Sequence, residues 1–580
     1  MNDTGAVIGV VAVTVATAAV GSRGLRVSRT REDFLVAARQ VPSALNAAAI
    51  SGEYLSAASF LGVAGLAMAD GVGALWYAVG YAAGYLVLLA VVAAPLRRFG
   101  AYTIPDFAEG RLDSPLLRKV ATGFVLVICV FYLLPQMEGA GETLQVAFGG
   151  PYWIGVVVLG VVVTAAIASG GMKGITFVQS FEFWLKLVAI ALPALALVAV
   201  FYHPPLDSVA GNAPSVFPRA TTVQFSSPTG IDVSKPVVVV VRGSLDAVAY
   251  SAPGGTRVSL AVGAHRVGSE TSIAFPPGSP APTLGGTAAL TNREWLSPLL
   301  RLGGRSIHPL AATYGIILAT FLGALGLPHI LVRFYTNPDG QTARRTTAIV
   351  VILLSCFYVW PALLALLGRL EAPGLYLSKS TDTVVLILPR LAVAGTAERV
   401  LSALVAGGAF AAFLSTSSGL LIATAGALSH DILGKGVRAF RWSALGAGIV
   451  VTGAGLAIQG KSINVLVGWA FAVAASSFCP LLILGIWWTR LTRIGALVGL
   501  LLGGGAASGA VIAAMAGAGQ SGWPAIMLQV PAIWTVPLSF ATMVSLSLLT
   551  PHALPADVMG KLRALHLPEG VQRRPGMPER

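Results

Sequence analysis

The sequence predicts an all-α polytopic membrane protein of about thirteen transmembrane helices, ten of them forming two inverted five-helix halves. Three observations predict it. Hydrophobic residues make up 55% of the 580-residue chain and charged residues only 11%, whereas soluble domains carry about 25% charged residues. Charge-poor stretches long enough to cross a ~30 Å hydrocarbon core, which takes roughly 20 helical residues, recur along nearly the whole sequence. Two of these stretches, five spans apart, are interrupted at matching places, as in inverted-repeat transporter cores.

The candidate spans fall at 5–22, 43–68, 72–96, 119–138, 152–170, 174–201, 307–331, 346–368, 398–429, 442–459, 462–487, 494–517 and 526–549. With the N-terminus outside, 24 basic residues fall on the inner side, headed by Arg23, Arg26, Arg29, Arg31 and Arg39 and by Arg97, Arg98, Arg111, Arg118 and Lys119. Five lie in or beside the short outer loops. This asymmetry and the odd span count predict an outside N-terminus and a cytoplasmic C-terminus in the plasma (inner) membrane. The net charge of +14 therefore reads as topology; a nucleic-acid partner would need a soluble basic face. The first apolar stretch follows Met1-Asn2-Asp3 and precedes its basic residues, so a retained anchor is expected and not a cleaved signal peptide. Cys129, Cys356 and Cys479 sit in separate spans without metal-ligand spacing, which predicts neither disulfide nor metal cluster.

Residues 1–30 hold the first helix and the start of the first cytoplasmic loop, 31–201 the first half of the core (spans two to six), and 202–305 an extracellular insertion. Residues 306–490 hold the second half (spans seven to eleven), 491–550 two peripheral helices, and 551–580 a Pro- and Arg-rich cytoplasmic tail expected to be disordered. In the insertion, Val237 to Val241 and the alternating Thr256 to Ile273 flank Ser251-Ala252-Pro253-Gly254-Gly255. That pattern fits strands and turns of a small β-rich domain, and it also fits a long polar loop.

The first interruption is Ser51-Gly52-Glu53-Tyr54; its counterpart is Gly323-Ala324-Leu325-Gly326-Leu327-Pro328-His329. Either alone could mark a kink or close packing; their pairing favours a binding role. In the ninth span, Ala412-Phe413-Leu414-Ser415-Thr416 puts two hydroxyls about 100° apart on a helix, one turn after the Ala412 carbonyl. In a membrane interior a bare alkali cation can replace its water only with hydroxyls and with carbonyls released where a helix unwinds. The two motifs thus read as halves of a sodium site, with back-bonding of the hydroxyls to the preceding turn as the plain alternative.

Glu53, close to mid-span, requires a partner. Glu182 and Lys186 are four residues apart on one helix face; either they neutralise each other, or Lys186 faces the central cavity and attracts an anion. Gln136 serves helix packing or the substrate. His329 and the His430-Asp431 pair are placed at inner helix ends, where interfacial solvation accounts for them. Paired catalytic carboxylates and a nucleophile with its base are missing, so no enzyme and no organic cofactor are expected.

The stretches ISGEYLSAASFLG (50–62), FYLLPQMEGAGE (131–142), GLPHILVRFYT (326–336) and ALSHDIL (427–433) resemble the solute:sodium symporter family, most closely its cation/acetate (monocarboxylate) branch. The similarity runs from roughly 31 to 490 without most of 202–300. It implies a leucine-transporter-like fold and sodium-coupled uptake of a small monocarboxylate such as acetate, propionate or pyruvate. Carried over by residue, the sodium ligands are the carbonyls of Gly52, Leu55 and Ala412 and the hydroxyls of Ser415 and Thr416. The acetate branch often lacks this Ser-Thr pair, which the chain retains. The substrate is expected between the two breaks, near Ser51, Glu53, Tyr54, Gln136, Lys186, Phe321, Gly323 and Gly326. Proton-coupled symport with Glu53 or Glu182 titrating, sodium symport of another solute such as an amino acid, and a solute sensor on the same scaffold are the alternatives.

Overall fold

In lipid every backbone N–H and C=O must be satisfied within its own segment, which makes an apolar run a helix. The thirteen apolar stretches are helical in the computed structural model, which describes residues 3–25, 41–201, 216–225, 227–285, 291–301, 308–433, 436–519 and 522–568. The helices used below are α1 (Thr4–Leu25), α2 (Ser43–Tyr54), α3 (Ala58–Asp70), α4 (Val72–Phe99), α5 (Ile104–Leu112), α6 (Pro115–Phe148), α7 (Trp153–Phe201) and α8 (Pro309–Gly323). They continue with α9 (Pro328–Phe334), α10 (Gly340–Glu371), α11 (Thr396–Ala427), α12 (Val437–Gly455), α13 (Ile463–Trp487), α14 (Arg493–Met515), α15 (Ala532–Leu549) and α16 (Val558–His566). Among the described residues nine helices are long and apolar enough to cross a membrane, and the bent α2–α3 pair makes ten.

Spans five and six, expected as separate helices, form one helical run of 49 residues. No proline lies between them, so helical hydrogen bonding continues through the link. The run contains both apolar stretches, Trp153–Ala168 and Ile175–Phe201.

Helices α2 and α3 meet at 69°. The break falls at Leu55-Ser56, just beyond the expected Ser51 to Tyr54, because the last turn of α2 still closes: Leu55 N donates to Ser51 O at 2.9 Å. Leu55 then leaves helical geometry (ψ 83°). Beyond it the chain re-enters as a wide π turn, Ala58–Gly62, a feature frequent at functional sites. Gln136 on α6 caps this second half, its Oε1 accepting from Ala57 N at 2.9 Å and its Nε2 donating to Tyr132 O at 3.3 Å.

The second break lies where expected. Helix α8 tightens into a 3-10 turn at Ala324–Gly326, Leu327 is extended, and Pro328 opens α9 at the position where its missing N–H is harmless. Gly323 and Gly326, expected near substrate, serve packing: an added Cβ would stand 2.5 Å from Phe471 O and 2.4 Å from Ala474 O. Their bare backbone lets α8 lie directly on α13. Phe321, two residues before Gly323, is half-buried.

Residues 216–285 carry an antiparallel sheet of eight strands: β1 (Thr221–Phe225), β2 (Thr229–Val233), β3 (Val237–Leu245), β4 (Val248–Tyr250), β5 (Thr256–Leu260), β6 (Gly263–Val267), β7 (Thr271–Phe275) and β8 (Thr283–Leu284). Their order is β1-β7-β3-β6-β2-β8, with β4 and β5 also on β3. Strand β3 is central because Val237, Val239 and Val241 alternate inward, Val239 standing opposite Val258 of β5. The sheet has its own core of Phe217, Phe225, Ile231, Ile273 and Phe275, which takes in Leu377 from beyond α10.

The tail begins ordered, against the expectation of disorder. Leu562 and Leu565, one turn apart on α16, are buried, and Arg98 donates to His566 O at 3.3 Å. Arg26, Arg29, Arg31 and Arg39 of the first inner loop, with residues 202–215 and 569–580, lie outside the described residues.

Candidate functional site

The unwound turn after Gly52 releases two carbonyls, and α11 brings a hydroxyl to the same point. Gly52 O, Leu55 O and Ser415 Oγ converge there as sodium ligands would, but what they surround is the ammonium of Lys186. Its Nζ donates to Leu55 O at 3.0 Å, to Ser415 Oγ at 2.6 Å, and to Gly52 O. Three N–H donors thus meet three oxygens. Ser415 Oγ also donates to Gly52 O at 2.7 Å and lies 3.3 Å from Ala412 O, while Thr416 Oγ1 donates to Glu53 O at 2.5 Å. The hydroxyl pair therefore bridges α11 to α2, with only a long contact back to the preceding turn.

Of the five atoms expected around sodium, three hold the ammonium and two bond within the protein. Two unit positive charges ~3 Å apart repel by about 5 kcal/mol even at an effective dielectric of ~20. The residues as arranged therefore do not fit a sodium ion at this point. Both expectations for Lys186 give way as well. Glu182 turns to α1 and accepts from Thr17 Oγ1 at 2.9 Å, with no ion pair to Lys186 among the described residues. Lys186 points at the oxygen cluster and not at an anion.

Glu53, which the sequence requires to have a partner, finds it in Arg333 of α9. Arg333 Nε lies 2.7 Å from Glu53 Oε2. Its Nη1 donates to Thr176 Oγ1 at 2.8 Å and its Nη2 to Gln179 Oε1, and Gln179 Nε2 donates on to Ser415 O at 2.8 Å. This network joins α2, α7, α9 and α11. Gly419 makes room for it, since a Cβ there would stand 1.6 Å from Glu53 Oε1.

Around the break stands an aromatic wall. The Phe471 ring centroid lies 6.2 Å from Tyr54, 4.8 Å from Tyr81 and 5.6 Å from Tyr132. Tyr85 packs on Tyr54 at 4.8 Å and His329 on Tyr132 at 5.2 Å; Tyr54 OH donates to Tyr81 O at 3.1 Å. Ser51 Oγ, Tyr85 OH and both ring nitrogens of His329 are buried without a protein partner. Buried polar atoms are nearly always bonded, so these three side chains leave hydrogen-bonding capacity unmet in the interior. His329 is 1% exposed, not solvated at a helix end, because Pro328 starts α9 inside the break and carries its neighbour into the interior.

The other inner-end pair is also not accounted for by solvation. Arg118 lies 2.8 Å from Asp106, 2.7 Å from Glu109 and 2.6 Å from Asp431, and His430 Nδ1 is 2.9 Å from Asp431. Asp106, His430 and Asp431 bring three ligand atoms close together, but the guanidinium among them makes the cluster an ion-pair network.

The profile of the Sodium:solute symporter family matches residues 34–240 and 301–503. The chain belongs to this family. A curated relative, the uncharacterized symporter YwcA of Bacillus subtilis (strain 168), is 28% identical over 534 residues, 88% of either chain. Among solved structures, a Na+-coupled sialic acid symporter in a substrate-bound outward-open state aligns with TM-score 0.59 at 12% identity, covering 94% of this chain and 98% of that one. MHP1, a nucleobase-cation-symport-1 family transporter in a closed conformation with bromovinylhydantoin bound, aligns at 0.51 and 12%, covering 92% and 97%. These neighbours show the leucine-transporter-like fold. Together with the family they support a multi-pass membrane transporter and, as its activity, sodium-coupled symport of a solute.

Proposed function

We propose that the protein is a symporter that brings a small monocarboxylate such as acetate, propionate or pyruvate into the cell, its N-terminus outside and its C-terminus cytoplasmic. The observation that carries the substrate class is the set of unpartnered buried groups beside the two breaks: Ser51 Oγ, the His329 ring, and the OH of Tyr85, which packs on Tyr54 from α4. Hydroxyl and imidazole N–H groups donate to a carboxylate, while the packed rings of Tyr54, Tyr81, Tyr132 and Phe471 exclude water. The resemblance of 50–62 and 326–336 to the acetate branch points the same way. Gln136 is already engaged on Ala57 N, so it shapes the site without contacting substrate.

Access to the cytoplasm requires the inner halves α2 and α9 to part, which means releasing Glu53 from Arg333. One cation carried with one monocarboxylate anion is electrically silent. An inside-negative potential, worth about 2.3 kcal/mol per charge per 100 mV, contributes only when more than one cation moves.

Uptake by proteoliposomes of labelled acetate, propionate, pyruvate, lactate, proline and glucose tests the substrate. Accumulation of the short carboxylates against their gradient supports the proposal; accumulation of proline or glucose alone, or of none of the six, defeats it. The position of Lys186 favours a second reading of the coupling, in which the sodium gradient is not drawn on at this site.

A further inference from the structure

We propose that the Lys186 ammonium is the resident cation of the Gly52–Leu55–Ser415 site, standing where a sodium ion would, so that this protein takes up no sodium there. Only the uptake arm of the test below rests on the proposed symport function; the binding arm stands without it.

Three features of the site carry the inference. The first is coordination. Nζ engages the two carbonyls released by the α2 break and the facing hydroxyl of α11, which are three of the oxygens a sodium ion would need, and the ammonium brings the same single positive charge. The second is what Lys186 does not engage. Glu182, on its own helix and one turn away, is bonded to Thr17, and the Glu53 carboxylate is held by Arg333. The direct contacts of the ammonium are thus neutral oxygens, as in an ion site, while Glu182 and Glu53 act on it only through space and not by the contact of an ordinary buried ion pair. The third is mechanical. A sodium ion at this place would tie α2 to α11. Lys186 makes the same tie from α7, and being covalently attached it cannot leave with the substrate. Occupancy of the site is therefore independent of the sodium concentration, and no charge is carried out of it.

The test uses the full-length protein in two assays. In proteoliposomes, wild-type uptake of the transported carboxylate is measured with sodium replaced by potassium or choline. A coupling ion typically changes its partner's affinity at least fivefold, so initial rates equal to within about twofold are the expected result. In detergent, the melting temperature is followed as sodium is titrated against choline. The wild type is expected to show no sodium-specific shift, while Lys186→Ala and Lys186→Met, which vacate the oxygen cluster, are expected to gain one that Ser415→Ala then abolishes. A lysine that only braced three helices would lower stability when removed but would confer no response to sodium.

A wild-type uptake rate that saturates with sodium, or a wild-type sodium-specific stabilisation lost in Ser415→Ala, overturns the proposal and leaves the symport function intact. Should the Lys186 variants not fold, the wild-type titration with its Ser415→Ala control still decides. Should none of the panel be transported, the proposed function falls and the melting assay still scores the cation site.

Discussion

Arg333 Nε stands 2.7 Å from Glu53 Oε2, each side chain 1% exposed, and the pair joins α2 to α9, one half-helix from each of the two breaks. Removing one member strands the other as a buried charge, which costs about 3–5 kcal/mol. Arg333→Met is therefore expected to lower stability by that amount, and Glu53→Gln by somewhat less, because an amide can still accept from the guanidinium. The double variant should recover part of the loss. Unfolding in detergent of the two singles and the double, closed as a thermodynamic cycle, measures the coupling; losses that simply add would mean the pair does not act as a unit.

Two glycines beside this pair, Gly52 of α2 and Gly419 of α11, should behave differently from Gly426 of α11. A Cβ on Gly52 would stand 2.2 Å from the backbone oxygen of Gln179, and one on Gly419 would stand 1.6 Å from Glu53 Oε1, whereas nothing lies within 4 Å of one on Gly426. Overpacking typically costs about 1–3 kcal/mol. Gly52→Ala is expected at or above the top of that range, since backbone cannot rotate away, and Gly419→Ala is expected to cost stability by displacing the carboxylate from Arg333. Gly426→Ala should be neutral or mildly stabilising. Melting temperatures of the three variants rank them; an unaffected Gly52→Ala would contradict the close approach of α2 to α7.

The spans, both breaks and the Ser415-Thr416 pair are legible in the sequence because Gly-Glu, Gly-Leu-Pro and adjacent hydroxyls stand out within apolar helical runs. The occupants of the site are not. Lys186 lies 134 residues from Gly52 and 229 from Ser415. Helical periodicity places it beside Glu182, but only the rotation of α7 against α2 and α11 decides which way each side chain turns. Arg333, 280 residues from Glu53, counts as one of the basic residues at an inner helix end until α9 is seen to start among buried residues at the break. The need of Glu53 for a partner, set against a lone arginine in the matching half-helix, is the signal that points to it. Gly323 and Gly326 carry no mark that distinguishes close packing on α13 from substrate contact.

Below the core, Asp106 of α5 is held above its ordinary value of 3.8 by burial, which the nearby charges of His430 and Arg118 offset only in part. A carboxyl whose folded pKa lies above its unfolded value contributes stability that is fully present below the unfolded value and is lost as pH rises through the folded one. The wild type is therefore expected to lose stability from this group as pH rises from about 4, and Asp106→Asn should flatten that slope. Arg118→Met removes the cation shared by Asp106, Glu109 and Asp431, with an expected cost of about 2–3 kcal/mol near neutrality that shrinks in acid. Melting temperatures of the wild type and both variants across this pH range check the signs; a steeper slope in Asp106→Asn would refute the assignment.

The two hydroxyls of α11 differ in what they hold, and their removal should show it. Ser415→Ala takes away one of three acceptors of the Lys186 ammonium, at 2.6 Å. Thr416→Val, of nearly the same shape, takes away the donor to Glu53 O at 2.5 Å. Leaving a buried neutral group unsatisfied costs about 1–3 kcal/mol, and more when the group is charged. Ser415→Ala is therefore expected to cost more than Thr416→Val, and a Ser415→Ala/Lys186→Met double variant to cost less than the sum of its singles, because the unsatisfied donor has gone. If instead both hydroxyls coordinated a free ion, the two single variants would weaken sodium binding alike and Lys186→Met would leave their effects unchanged. Unfolding free energies of the three singles and the double, measured with and without sodium, separate the two outcomes.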